Sequence, residues 1–295
     1  KVSEMAKKLK FPLQCIGIPK TVDNDLPYTD CSPGFGSVAK YVAISTLEAG
    51  LDVKSMAGTS TKVFILEVMG RHAGWIAAAS CLAASNQGDP PHIILLPEIP
   101  FERNKFIARV KKTVKKYGYC VIVASEGTKT KAGKFLADSG LTDAFGHKQL
   151  GGVAPVISSM VSKIGLKNHW AVADYLQRSA RHIASKTDLD QAYAVGVQAV
   201  KLAVAGKTAV MPVIKRLSDT PYKWQIGTAP LKNIANIEKS VPRKFISKDG
   251  FAVTSAGRRY LNPLIQGEAP TSFKHGMPEV ALLKKSFVKK KLKKF

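Results

Sequence analysis

Lys20, Asp23 and Asp25 are the side chains with the most chemistry in this sequence, held within the run Gly17-Ile18-Pro19-Lys20-Thr21-Val22-Asp23-Asn24-Asp25. A lysine followed by two aspartates two residues apart has the parts for phosphoryl transfer. The ammonium neutralises phosphate oxygens, one carboxylate accepts a hydroxyl proton, and the other holds Mg²⁺. Asn and Asp also build solvated turns for purely local reasons, so the run alone leaves both readings open. Arg71 is a second candidate, in Met69-Gly70-Arg71-His72-Ala73-Gly74-Trp75. There a guanidinium stands beside a helix start, where free amides and a cation converge on one anion. His72 by itself reads as a hydrogen-bonded structural histidine. Glu126, in Ser125-Glu126-Gly127, reads equally as an acceptor for a sugar hydroxyl and as a helix N-cap carboxylate.

Such residues act together only if strands deliver them to one place, and in open α/β sheets that place is the crevice at the strands' carboxyl ends. Apolar runs predict strands at 11–18 (buried), 62–68, 92–96, 119–124, 170–176 and 209–214. Helical patterns fall at 2–9, 38–49, 77–84, 101–116, 153–164, 188–205 and 255–261, with Gly50 and Gly206 as stops. The stretches 129–152 and 218–236 read as loops, and 263–276 as extended chain. This alternation predicts an α/β fold with doubly wound, mostly parallel sheets. Gly34, Gly36 and Ala39 mimic a dinucleotide fingerprint. No strand directly precedes Gly34, so the turn reads instead as a helix entry whose amides can meet an anion.

With 295 residues and 45% apolar content, the chain can bury a large core and make one large or two smaller α/β domains. Cys15, Cys31, Cys81 and Cys120 are scattered without zinc or disulfide spacing, which favours a reducing, cytoplasmic setting. No apolar run is long enough to span a bilayer and the start does not read as a secretory leader, so a soluble protein is expected. Lys and Arg number 45 against 21 Asp and Glu, a net charge of +24. That excess suits phosphorylated metabolites, an acidic membrane surface or nucleic acid. Much of it lies in runs, at 111–116 and in the tail 284–294, which read as solvated faces.

Five pieces in order resemble the phosphofructokinase family: Pro19-Lys20-Thr21-Val22-Asp23-Asn24-Asp25, Glu67-Val68-Met69-Gly70-Arg71, Pro97-Glu98, Ser125-Glu126-Gly127 and Leu176-Gln177-Arg178. The ending from Tyr260-Leu261-Asn262-Pro263 resembles the pyrophosphate-dependent branch. The resemblance implies that Asp23 is the base for the 1-hydroxyl of fructose 6-phosphate, with Thr21 beside it. It implies Mg²⁺ at Asp25 and a sugar-phosphate site made by Met69, Gly70 and Arg71, with Arg71 stabilising transition-state charge. Glu126 would fix a sugar hydroxyl, and Arg178 would grip the 6-phosphate beside Tyr175. Lys62 would reach into a neighbouring subunit's site, which implies a homo-oligomer. Lys20 stands where ATP-using relatives generally carry glycine, and so looks like a pyrophosphate signature.

The family's N-terminal Gly-Gly turn and second glycine-rich loop have no counterpart in these residues. Part of the donor side is therefore expected to come from a separate chain or from a segment outside these residues, and without it this polypeptide is not expected to catalyse by itself. By resemblance, 1–34 with 177–235 would form an incomplete donor-side lobe. Residues 35–176 would form the acceptor lobe, and 236–295 a crossing segment with the basic tail. Two other readings stand beside the pyrophosphate enzyme. One is an ATP-dependent kinase of the same family. The other is a catalytically incomplete relative serving as a basic structural or RNA-associated component, for which RNA retention should be strongly salt-dependent.

Overall fold

Val63–Val68 and Cys120–Ser125 are near-continuous apolar runs, the signature of parallel strands covered on both faces. The computed structural model describes residues 1–142, 148–150, 152–287 and 289. In chain order its elements are α1 (Val2–Lys8), α2 (Phe35–Met56), β1 (Val63–Val68), α3 (Trp75–Ala79), β2 (Ile93–Leu95), α4 (Arg103–Tyr117) and β3 (Cys120–Ser125). There follow β4 (Asp138–Thr142), β5 (Lys148–Leu150), α5 (Val153–Ser162), β6 (Asn168–Val172), α6 (Asp174–Ser179) and α7 (Lys186–Val204). The chain ends with β7 (Val210–Asp219), β8 (Tyr222–Pro230), α8 (Ser255–Leu261) and the short pair β9 (Phe273–Lys274) and β10 (Met277–Pro278).

β2, β3, β1 and β6 make one parallel sheet in that order. Alternation along β1 sends Val63 and Ile65 into a core with Phe106 and Val110 of α4 and Ile157 of α5. Leu66 and Val68 face the other way, into a core with Phe35, Val38 and Val42 of α2 and the Trp75–Ala79 helix. Helices thus cover both faces, as the α/β reading requires. Val68 pairs with Ser125 and Glu67 with Val172. The segments that follow β1, β3 and β6 therefore leave the sheet at the same end. Apart from this sheet, β7 and β8 form an antiparallel ribbon, which takes up Ile16 through a single parallel bridge to Val210.

Several sequence expectations are corrected. Residues 11–18 do not form a buried strand: Phe11 is 62% and Ile18 58% exposed, and Ile16 alone bridges to Val210. A strand needs a ladder, and among the described residues nothing pairs the far side of this segment. Gly50 does not stop α2 but lies within it, where a Cβ would stand 2.4 Å from the Pro90 ring; it is a close-approach glycine. Residues 129–152 include the β4–β5 pair, and 218–236 include β8, in which Tyr222, Trp224 and Ile226 alternate with the exposed Lys223 and Gln225. Residues 174–176 belong to α6 rather than to the preceding strand. The helix expected at 77–84 is α3 followed by a 3₁₀ turn, Ser80–Ala83. The last residues of the basic tail, 290–295, lie outside the described residues. No described helix is long and apolar enough to cross a membrane.

His92, buried before β2, supplies a pH test of the fold. Its Nδ1 accepts the Val121 amide at 3.0 Å, so the proton sits on Nε2, which donates to the Gly88 carbonyl at 3.1 Å. Burial pulls its pKa from 6.5 to about 4. On acidification the unfolded chain takes up the proton first. The stability His92 contributes is therefore present above its unfolded value and is lost as pH falls through the folded one, by on the order of 3 kcal/mol. Urea midpoints measured across that window are expected to fall in the native protein and to fall less steeply in His92→Leu. Parallel slopes would contradict this.

Candidate active site

The loop that carries the two aspartates is shaped by its own residues. Thr21 bridges to Gly34, and its hydroxyl accepts the Asp23 amide at 3.1 Å while donating to Asp23 Oδ2 at 3.3 Å. Asn24 is fully buried at φ 55°, a left-handed conformation that asparagine tolerates. Its Oδ1 accepts the Ser32 amide at 3.0 Å and its Nδ2 donates to the Tyr260 hydroxyl at 3.1 Å. With Asn24 turned inward, Asp23 and Asp25 on either side of it face outward into the cleft. At the far end of the loop, Asp30 accepts two bonds from Arg216 Nε at 3.0 and 3.1 Å, with both side chains only 13% exposed.

The helix entry at Gly34 meets an anion, but one from within the chain. The Asp188 carboxylate of α7 accepts the Gly34 amide at 2.9 Å, the Ser37 amide at 3.0 Å and the Ser37 hydroxyl at 2.6 Å. This caps α2 in trans and leaves no dinucleotide site there.

The sheet supplies the opposite wall. Met69, Gly70 and Arg71 follow β1, and Gly127 after β3 lies so close that a Cβ there would stand 2.1 Å from the Arg71 carbonyl oxygen. Glu126 accepts the Gly70 amide at 3.3 Å and caps no described helix, which removes the N-cap reading. After β6, Gln177 is buried and its side-chain carbonyl accepts the Met69 amide at 3.4 Å, fixing the start of α6 against the Arg71 turn. Arg178 stacks over the Tyr175 ring at 4.3 Å.

Together these walls enclose a cleft of about 450 Å³ lined by Val22, Asp23, Asp25, Met69, Arg71, His72, Ala73, Glu126, Asp174, Tyr175, Arg178 and Glu238. Asp23, Asp25, Met69, Arg71, Glu126, Tyr175 and Arg178 were all expected from the sequence. Thr21 and Gly70 support the cleft through hydrogen bonds, and Lys20 is exposed beside it. Lys62 sits at the other end of β1, its ammonium on the Ala57 carbonyl, and does not reach this cleft. His72, Asp174 and Glu238 went unrecognised as cleft residues. His72 Nδ1 and Glu238 Oε1 lie 2.6 Å apart across 166 residues of sequence, a separation no local pattern spans. None of the expected residues lines the more apolar cleft of about 340 Å³ around Leu96, Ile99 and Phe251.

Electrostatically the cleft sets acids against cations. Burial and the neighbouring Asp25 raise the Asp23 pKa, while Thr21, Lys20 and Arg178 oppose the rise. Glu126 is raised by burial and by Asp23 and Asp174, against the Gly70 amide and Arg71. Behind the aspartate loop, burial lowers Lys239 to about 8 although Cys31, Asp30 and Asp25 oppose the shift. Among the described residues no three His, Cys, Asp or Glu side chains converge as a metal cage. The Asp25 carboxylate lines the cleft, and Mg²⁺ is commonly bound by one or two carboxylates together with substrate phosphates.

The sequence pattern of the family described as Phosphofructokinase matches residues 1–203. The chain belongs to the phosphofructokinase family. A member from Halomonas elongata, named pyrophosphate–fructose 6-phosphate 1-phosphotransferase, is 62% identical over all of this chain and 71% of its own length. The crystal structure of a pyrophosphate-dependent phosphofructokinase from Marinobacter aquaeolei is 57% identical, with a TM-score of 0.90 over 99% of this chain and 70% of that one. The corresponding structure from Nitrosospira multiformis is 56% identical, with a TM-score of 0.92 over 100% of this chain and 71% of that one.

An acid whose folded pKa is raised adds stability that is fully present below its unfolded value and lost as pH rises through the folded one. Ionised Asp23 therefore costs folding free energy at neutral pH. Asp23→Asn is expected to raise the thermal midpoint at neutral pH, with the gain vanishing below the free-aspartate range. Calorimetry at the two pH values checks this, and a lower midpoint at neutral pH would contradict it.

Proposed function

We propose that this chain transfers a phosphoryl group reversibly between pyrophosphate and the 1-hydroxyl of fructose 6-phosphate, yielding fructose 1,6-bisphosphate and phosphate. The reading is carried by the convergence of Asp23, Arg71, Glu126 and Arg178 on one cleft, in a chain 56–62% identical to relatives bearing that name. Asp23 takes the proton of the 1-hydroxyl as its oxygen attacks phosphorus, and returns it in the reverse direction. The raised pKa of Asp23 brings it nearer the working range of a base than a free aspartate. Arg71 stabilises charge on the transferring group, and Lys20 stabilises charge on the phosphate that leaves. Thr21 orients Asp23 through its hydroxyl.

On the acceptor side, Glu126 accepts from a sugar hydroxyl and Arg178 grips the 6-phosphate beside Tyr175, with Met69 and Gly70 as the wall. Asp25 would hold Mg²⁺: its carboxylate lines the cleft, and only its backbone carbonyl takes part in the hydrogen bonds of this loop. There the ion would neutralise phosphate oxygens. Because pyrophosphate cleavage releases little more free energy than the sugar phosphorylation consumes, the reaction runs in both directions.

We assign residues 1–34 with 177–235 to the donor side, 35–176 to the acceptor side and 236–295 to a crossing segment with the basic tail. The β7–β8 ribbon and its bridge to Ile16 support the first assignment. Homo-oligomerisation belongs to the same reading, because Lys62 stands too far along β1 to serve its own cleft. A cytoplasmic setting is supported by four unpaired cysteines.

A coupled assay with fructose 6-phosphate and Mg²⁺, offering pyrophosphate and ATP separately, tests the reading. With the donor-side part that is expected from elsewhere supplied, turnover is expected with pyrophosphate and not with ATP, and Asp23→Ala should reduce it about 10²- to 10⁴-fold. Lys20→Gly should weaken pyrophosphate use more than fructose 6-phosphate binding. Equal use of ATP, or an active Asp23→Ala variant, would overturn the proposal.

A further inference from the structure

The aspartate loop and the sheet must hold a fixed distance, yet among the described residues Asp23 hydrogen-bonds only to Thr21, in its own loop. Its partners across the cleft, Arg71 and Glu126, ride on β1 and β3. What sets one wall against the other is the segment 238–241, which follows the β7–β8 ribbon. Four of its groups tie to elements of both walls. Glu238 pairs with His72 at 2.6 Å. The Lys239 amide donates to the Asp25 carbonyl at 2.6 Å, and the Lys239 carbonyl accepts from Trp75 Nε1 at 2.7 Å. The Val241 amide donates to Glu98 Oε1 at 2.9 Å, an oxygen that also accepts the Gly74 amide at 2.9 Å.

The Lys239 side chain adds the contacts that a backbone cannot. Its ammonium donates to the carbonyls of Thr29 at 3.0 Å and Asp30 at 2.8 Å, and lies 5.4 Å from the centre of the Trp75 ring. Those carbonyls follow Tyr28, a non-glycine residue at φ 65°, so the ammonium holds the loop where its backbone is least relaxed. Trp75 opens the helix four residues after Arg71. One side chain therefore touches the end of the aspartate loop and the element that follows the cleft arginine.

We infer that Lys239 is a positioning residue, which fixes the Asp23 loop against the Arg71 wall for the transfer proposed above. It touches no reacting atom and acts through the Thr29 and Asp30 carbonyls. A catalytic group must be held to about 0.5 Å, and a misplacement near 1 Å costs about 10²-fold in rate. Glu98 serves the same clamp from behind, which gives the Pro97-Glu98 motif a physical role outside the cleft.

The test compares Lys239→Met, which keeps the stem and removes the donors, with Lys239→Arg, which keeps cation and donors. For the proposed transfer, kcat with pyrophosphate and fructose 6-phosphate should fall about 10- to 100-fold in the Met variant. KM for the sugar should stay within about threefold, since the acceptor wall is untouched. The Arg variant should recover most of kcat. Amide hydrogen exchange supplies the readout that needs no turnover: residues 23–32 should exchange faster in Lys239→Met while β1 and β3 keep their native protection. If the protein with its donor side complete turns over nothing, the proposed function fails, and the exchange pattern still decides the clamp. Unchanged exchange at 23–32, a uniform loss of protection throughout, or kcat lost only in proportion to unfolded protein would overturn the inference.

Discussion

The parallel register of β1 with β3 and β6 is the constraint on which the site depends. Because Val68 stands opposite Ser125 and Glu67 opposite Val172, three segments far apart in sequence leave the sheet at one edge. Each carries a cleft-lining side chain past its strand: Arg71, Glu126 and Arg178. A slip of one residue in any pair would turn that strand's buried face outward, and two buried cores forbid it. Site geometry is thus inherited from core packing, which is the most costly part of the fold to change.

The opposite wall has no such ladder. The aspartate loop is held by side-chain hydrogen bonds: Asn24 to the Ser32 amide and the Tyr260 hydroxyl, Arg216 to the Asp30 carboxylate, and Lys239 to the Thr29 and Asp30 carbonyls. These interactions are polar, partly charged and buried, which makes them strong when complete and costly when broken. The cleft thereby brings a rigid sheet edge up to a loop whose position rests on a few specific bonds. Two acids, Asp23 and Glu126, are driven above their ordinary ionisation range by the burial this requires.

The net charge of +24 has little to do with that cleft. Of the cations, Arg71 and Arg178 line it, while the lysines at 111, 112, 115 and 116 are exposed on α4. Among the described residues the run on α4 lies on the outer surface, as its arrangement suggested.

The sequence alone determined the elements whose signal is local. Apolar runs marked β1 and β3, periodicity marked α4 and α7, and short motifs marked Asp23, Asp25, Met69, Arg71, Glu126, Tyr175 and Arg178, all of which line one cleft. Signals failed where a residue's meaning depends on a distant neighbour. Gly50 read as a stop because Pro90, which it packs against, is forty residues away. The Gly34 turn read as an anion site because Asp188, which fills it, lies on another helix. Residues 11–18 read as a buried strand because apolar pattern cannot say whether a ladder partner exists. Glu238 and Lys239 carried no motif at all, since their roles arise only when a ribbon folds back to place them between the two walls. Covalent order dictates propensity and pattern; contact between remote segments, and the burial that shifts a carboxylate or a lysine, exists only in three dimensions.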